Sequence, residues 1–149
     1  MAVQRDKPYP GMNFLVDLGT GQVDGPQAGL AEVIFPEARL QVTEYRTGNE
    51  KESAPQPLQT VTKYGNLILR RAPIGSLSWY DWWNAAREGQ SVQRTVTVML
   101  LNEDRTETVL TWVFKRACPV NYQFSPLNAM GMEPLIEILE LTFERLDME

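Results

Sequence analysis

Lys63-Tyr-Gly-Asn-Leu-Ile-Leu-Arg-Arg71 passes through a turn at Pro73 and Gly75 into Ser78-Trp-Tyr-Asp-Trp-Trp-Asn-Ala-Ala-Arg-Glu-Gly89. The first part reads as a strand with a basic end, the second as a short helix rich in tryptophan. Ser78 stands where it can cap that helix, with Asp81 three residues on in capping-box position. Gly89 stands where a C′ residue belongs. Trp79, Trp82, Trp83 and Ala86 fall on or near one helical face, so the helix is expected to cover an open side of a sheet. A ligand cage built from the same tryptophans would need a convergent polar group, and none is evident.

Outward from this stretch the chain reads as strand. Phe14, Val16 and Leu18 alternate with Leu15 and Asp17. Gly19-Thr-Gly21 makes a turn and Gly25-Pro26 a second loop. Leu30 to Tyr45 is a long extended segment interrupted at Pro36, which cannot donate to a ladder. Thr60 to Arg71 is the next strand. Val92 to Leu101 alternates well, Asn102 to Thr106 is a polar turn, and Thr108 to Lys115 pairs back as a hairpin. Val120 to Phe124 is a short strand and Ser125 to Gly131 a loop. Leu139, Leu141 and Phe143 share a face of a last segment, Leu135 to Leu146. Two stretches stand apart: residues 1–10 read as a flexible N-terminal arm, and residues 47–59, polar and proline-containing, exceed an ordinary hairpin loop. Such a loop is either mobile or ordered by a partner, and a partner is the favoured reading. The whole is a single domain, 1–149, mainly β: a two-sheet antiparallel β-sandwich or barrel with one flanking helix.

Composition narrows the function. The chain has 149 residues, 43% of them hydrophobic and 22% charged, enough for one domain with a real core. Its net charge of −5 argues against general nucleic-acid binding. No apolar run approaches the roughly 20 residues of a membrane span, and Met1 to Pro10 lacks the apolar centre of a signal peptide. Cys118 is the only cysteine, so no intrachain disulfide forms. It reads as a small buried hydrophobe. There is no histidine, which excludes Ser-His-Asp and Cys-His catalysis and histidine metal sites.

The remaining chemistry is sparse. Glu137, Glu140 and Glu144 lie on the last segment, where a pair of carboxylates could in principle do acid–base work, but nothing separates them from a solvated face. Gly19-Thr-Gly21 is too short for a phosphate loop. Gly48-Asn49-Glu50 lacks the alternating ligands of a calcium loop. Lys63, Arg70 and Arg71 form a small basic cluster, either paired locally with the excess acid or forming a salt-bridged contact between subunits. One helix among many strands, with no catalytic set and no expected cofactor or metal, points to an assembly part.

Several segments together resemble the tail tube proteins of contractile-tailed phages and the inner tube proteins of extracellular contractile injection systems. They are Asn13-Phe-Leu-Val16, Ala28-Gly-Leu-Ala-Glu-Val33, Glu44-Tyr-Arg-Thr-Gly48, Lys63-Tyr-Gly-Asn-Leu-Ile-Leu-Arg70, Trp79-Tyr-Asp-Trp-Trp83, Val98-Met-Leu-Leu-Asn-Glu-Asp104, Trp112-Val-Phe114, Ala117-Cys-Pro119 and Ile136-Glu-Ile-Leu-Glu-Leu141. The chain departs from the family at Ile34-Phe-Pro36, at Cys118 and at Phe143-Glu-Arg145.

The resemblance implies a tail-tube, Hcp-like sandwich. Six copies would form a ring around a channel, and stacked rings a hollow tube for DNA or effector passage. Implied partners are further copies, a sheath protein, baseplate or hub proteins, a tube cap or terminator and possible lumenal cargo. Neither membrane insertion nor sequence-specific nucleic-acid binding is expected, and assembly would take place in the bacterial cytoplasm. Candidate subunit or ring contacts are Glu44, Tyr45, Arg46, Asn49, Glu50, Lys51, Lys63, Tyr64, Arg70 and Arg71. The helix would present Asp81, Arg87 and Glu88 to the sheath. Two alternatives stand beside the repeating tube: a baseplate-proximal initiator ring of the same fold, and a small β-barrel ligand-binding protein or enzyme.

Overall fold

The computed structural model of the chain describes residues 2–20, 23, 24, 30–43 and 59–149. In chain order the strands are β1 (Phe14–Asp17), β2 (Val23–Asp24), β3 (Leu30–Ile34), β4 (Ala38–Thr43), β5 (Gln59–Tyr64) and β6 (Leu67–Arg71). Helix α1 (Ser78–Arg87) follows, then β7 (Arg94–Leu101), β8 (Thr108–Phe124), β9 (Glu137–Thr142) and β10 (Arg145–Met148). Antiparallel pairing gives the order β2-β1-β7-β8-β9-β6-β3, with β10 also on β8, and β4 and β5 form a separate ribbon.

β8 organises the molecule. Its first half carries β7 on one edge and β10 on the other, and its second half carries β9. Between the halves Arg116 takes a φ of 56°, and the register to β9 shifts between Pro119 and Asn121. An extra residue at such a bulge bends a strand and sharpens its twist. One strand therefore serves two sheets, which close over each other. Leu67, Leu69, Leu139 and Leu141 from one sheet meet Val16, Val96, Val98 and Phe114 from the other in a single core. Each such side chain removed from water stabilises the fold by about 2 kcal/mol.

α1 closes the open side of this core, as its tryptophan face leads one to expect. Trp79 and Trp82 are buried, and the Trp82 indole N–H donates to the Val92 carbonyl at 2.7 Å. The helix ends in a Schellman arrangement. Gly89 N–H donates to Ala86 O and Gln90 N–H to Ala85 O, both at 3.1 Å, and Gly89 has φ +80°.

Three local expectations change. The helix begins one residue earlier than a Ser78 cap requires: Leu77 is the N-cap residue and has no side-chain cap bond. Ser76 stands in part, its Oγ accepting from the Ser78 N–H at 3.3 Å. Lys63 to Arg71 is not one strand. The chain breaks at Gly65-Asn66, where Gly65 N–H donates to Glu37 O at 2.9 Å. Conversely, Thr108 to Lys115 and Val120 to Phe124 merge into β8.

The N-terminal arm is strapped to the fold. Val3 N–H donates to Val109 O at 2.9 Å, Arg5 Nη1 donates to Glu103 at 2.9 Å, and the Arg5 guanidinium lies 3.7 Å from the Tyr9 ring centre.

Candidate functional site

With a helix sealing one side of the core, the predicted contact residues that are described fall on or beside three surfaces: the β4–β5 ribbon, the polar face of the second sheet, which holds β6 and β9, and the outer side of α1. In the ribbon, Leu40 stands opposite Thr62 and Val42 opposite Thr60. Directly paired residues share a face, so Leu40 and Val42 lie together on one side. Val61 lies on the other with Arg39 and Lys63, which are themselves opposite one another. Leu40, Val42 and Val61 are more than half exposed, at 62%, 53% and 57%. A two-stranded ribbon is at best marginal alone in water. The alternation that predicted strands was therefore right for β4 and β5, but their apolar residues do not enter the protomer core. Tyr64, at the ribbon's base, joins the core instead, its ring 4.9 Å from Phe143.

Of the predicted contact residues, Glu44, Tyr45, Arg46, Asn49, Glu50 and Lys51 lie outside the described residues, as does nearly all of the 47–59 loop. Lys63 is exposed on the ribbon. Arg70 lies on the polar face of the second sheet, paired with Glu32 at 2.9 Å. On the same face Glu140 accepts from Asn66 at 2.8 Å and from Asn121 at 3.2 Å.

Arg71 is a correction. Alternation along β6 turns it inward, where its side chain is 5% exposed and pairs with Glu137, itself 4% exposed, at 2.7 Å. Its guanidinium also donates to Ser76 O at 3.1 Å and lies 4.2 Å from the Trp79 ring centre. Arg71 thus anchors the start of α1 to the sheet and offers no surface to a neighbour. Burial, and after it the Glu137 carboxylate, pushes the Tyr122 phenol up to about 12. No pattern along the chain announces this cluster, since Arg71 and Glu137 meet only through the β6–β9 register.

The outer side of α1 carries Asp81, Arg87 and Glu88, all exposed. Arg87 is engaged within the helix, donating to the Asn84 side chain, 4.0 Å from Glu88, and stacked over Trp83 at 5.1 Å. A second feature passed over in the sequence is the 125–136 connection, whose Leu127, Met130 and Met132 stand almost wholly in solvent. Its signal was available: three long apolar side chains in a loop bounded by Pro126 and Pro134. Among the described residues no three His, Cys, Asp or Glu side chains gather as a metal site. No helix among them is long and apolar enough to cross a membrane.

Two folded sheets sharing a long strand, one sealing helix and an exposed ribbon define a structural, assembly-type β-protein. Residues 10–147 match the family described as T4-like virus tail tube protein gp19, and the chain belongs to that family. Among solved structures it is similar to a chain of the anti-feeding prophage baseplate, 6-fold symmetrised, with a TM-score of 0.77, 23% identity and 97% of each chain covered. It is also similar to a chain of the sheath-tube complex of the PVC extracellular contractile injection system in its extended state, with a TM-score of 0.76 and 21% identity, covering 95% of this chain and 91% of that one. Hcp1 from Flavobacterium johnsoniae shares the fold more loosely, with a TM-score of 0.57 and 16% identity, covering 91% of this chain and 94% of that one. No curated protein matches. As a member of that family the chain is a structural tail tube protein.

Proposed function

We propose that six copies of this chain close into a ring, and that rings stack into the hollow inner tube of a contractile apparatus assembled in the bacterial cytoplasm. The observation that carries this reading is the β4–β5 ribbon. It leaves the sandwich with Leu40, Val42 and Val61 exposed, and contact with an adjacent subunit would give it the cover it lacks among the described residues. Six-fold closure is supported by likeness to a chain from a 6-fold symmetrised baseplate. Sheath, baseplate and terminator partners are supported by likeness to chains from a sheath-tube complex, a baseplate and a sheath/tube terminator. Lys63, beside the ribbon's base, and the Glu32–Arg70 pair on the polar sheet face are the described residues we assign to subunit contacts. Asp81, Arg87 and Glu88 we assign to the sheath side.

The role is mechanical, not catalytic. The carboxylates that could have formed an acid–base pair are committed elsewhere: Glu137 to Arg71 in the core, and Glu140 to two asparagine side chains. A baseplate-proximal ring of the same fold is the second reading, favoured by the baseplate likeness. Copy number per particle separates the two, many copies marking the repeating tube and few the initiator.

The test is assembly of the purified chain, with baseplate components present as nucleators, followed by electron microscopy. Hollow tubes or rings are expected from the wild type. Leu40→Asp with Val42→Asp should leave the protomer folded, because both side chains are exposed, and should abolish tubes. A wild-type chain that stays a protomer at high concentration with its nucleators present refutes the reading.

A further inference from the structure

Two apolar surfaces of the protomer, apart from the ribbon, lack cover among the described residues. The first is a projection. β6 ends, β8 ends and β9 begins at the same place, since Glu137 is in register with both Arg71 and Phe124. The connections 72–77 and 125–136 leave the second sheet there side by side. Leu127, Met130 and Met132 are 85%, 96% and 101% exposed, and Ile74 and Leu77 lie on the companion connection, both more than half exposed. The longer loop is built, not loose. Ser125 N–H donates to Ile136 O at 2.9 Å, and Ile136 N–H donates back to Ser125 Oγ at 2.8 Å. At the tip Met130 N–H donates to the Asn128 side chain at 3.0 Å. Gly131 N–H donates to Asn128 O at 3.2 Å, while the apolar side chains face water.

The second surface is concave. A cavity of about 250 Å³ opens between β3 and the facing sheet, lined among others by Phe14, Val33, Phe35, Val98, Leu100 and Trp112. Phe35 packs on Trp112 with ring centres 4.7 Å apart. Apolar cavities of roughly 150 Å³ stay dry and take up a ring as large as benzene, so this one has room for a methionine or leucine side chain. Glu32 at its rim is held by Arg70 at 2.9 Å, which leaves the lining free of an unpaired charge from that residue.

Projection and cavity lie at opposite ends of β8, Trp112 in its first half and Phe124 at its end. A protrusion and a matching pocket on separate parts of one chain make a heterologous contact, which closes as a ring or runs on as a stack. We propose that the Leu127–Met132 tip of one copy seats in the Phe35–Trp112 cavity of the next. The contact rests on the reading that the chain self-assembles. It is separate from the β4–β5 ribbon. Methionine suits the role, because its unbranched, polarizable side chain fits pockets of irregular shape.

The test uses the full chain carrying Cys118→Ala, Val33→Cys and Met130→Cys, oxidised after assembly. A ladder of covalent oligomers is expected, absent from the chains that keep only one of the two new cysteines. In parallel, Met130→Lys with Met132→Lys should melt like the wild type and assemble about tenfold less readily. Wild-type tubes with no ladder and an unimpaired lysine variant overturn the contact and leave the tube reading standing. A ladder from a chain that forms no tubes supports the contact and overturns the tube. Impairment of the lysine variant only when sheath protein is added, again with no ladder, assigns the loop to the sheath and overturns the contact.

Discussion

Replacing Glu137 with glutamine removes the carboxylate that faces the buried Arg71 guanidinium and leaves a similar shape behind. The remaining contacts of the cation are the Ser76 carbonyl at 3.1 Å and the Trp79 ring at 4.2 Å. With side-chain exposures of 5% and 4% the pair has almost no water to fall back on. Breaking a buried pair from one side costs about 3–5 kcal/mol. Glutamine keeps an oxygen that can accept from Arg71, which sets the expectation at the lower end, about 3 kcal/mol. For a domain of this size that lowers Tm by roughly 10 °C. The assay is thermal and urea unfolding followed by circular dichroism. The double variant Arg71→Met with Glu137→Leu supplies the control. It removes both charges and should recover most of the loss, because a buried pair replaced by apolar side chains is often neutral or stabilising. A Glu137→Gln chain melting within about 2 °C of the wild type would refute the picture of a dry, mutually dependent pair. A double variant worse than either single one would refute the assignment of the cost to an uncompensated charge.

Three further outcomes can be checked. The Tyr122 phenol, raised to about 12 by burial and Glu137, contributes stability that is full below the ordinary tyrosine value and lost as pH rises through about 12; Tyr122→Phe should flatten that alkaline limb of unfolding. Arg5 holds the Glu103 carboxyl down at about 2, so the N-terminal strap should keep its full hold above the ordinary glutamate range and lose it as pH falls toward 2. The protection factor of the Val3 amide, measured against its intrinsic exchange rate at each pH, should then fall, and Glu103→Gln should lower it already at neutral pH. Gly89→Ala should cost about 1 kcal/mol in urea unfolding, since the φ of +80° is strained for alanine although its Cβ would meet nothing within 4 Å.

Local signals carried well from sequence to structure wherever the deciding interaction is itself local. The Schellman glycine and the tryptophan face of α1 follow from residues within two turns of one another. Pro36 does separate β3 from β4. Where distant partners decide, the sequence is silent. The bulge at Arg116 that lets one strand join two sheets looks, in sequence, like the end of one strand and the start of another. The break at Gly65-Asn66 depends on a bond to Glu37. Arg71 looked like an exposed base beside Arg70, and only the register of β6 on β9 turns it toward Glu137. The ribbon shows a different limit. Alternation reports that Leu40, Val42 and Val61 belong to strands, but not whether the surface that covers them comes from the same chain. The sequence offered Lys63 and Tyr64 as contact candidates; Lys63 stands exposed on the ribbon while Tyr64 packs on Phe143, and the apolar tip at Met130 and Met132 went unread.

The shared strand β8 has a mechanical consequence. Its hydrogen-bond ladders to β7, β10 and β9 run along its length, so a push or pull delivered to one sheet along this axis loads those ladders in shear, many bonds at once. Force crosses to the other sheet through the covalent backbone at the Arg116 bend, without relying on side chains gripping across the core. A subunit wired this way behaves under axial load as one stiff strut with two flanges.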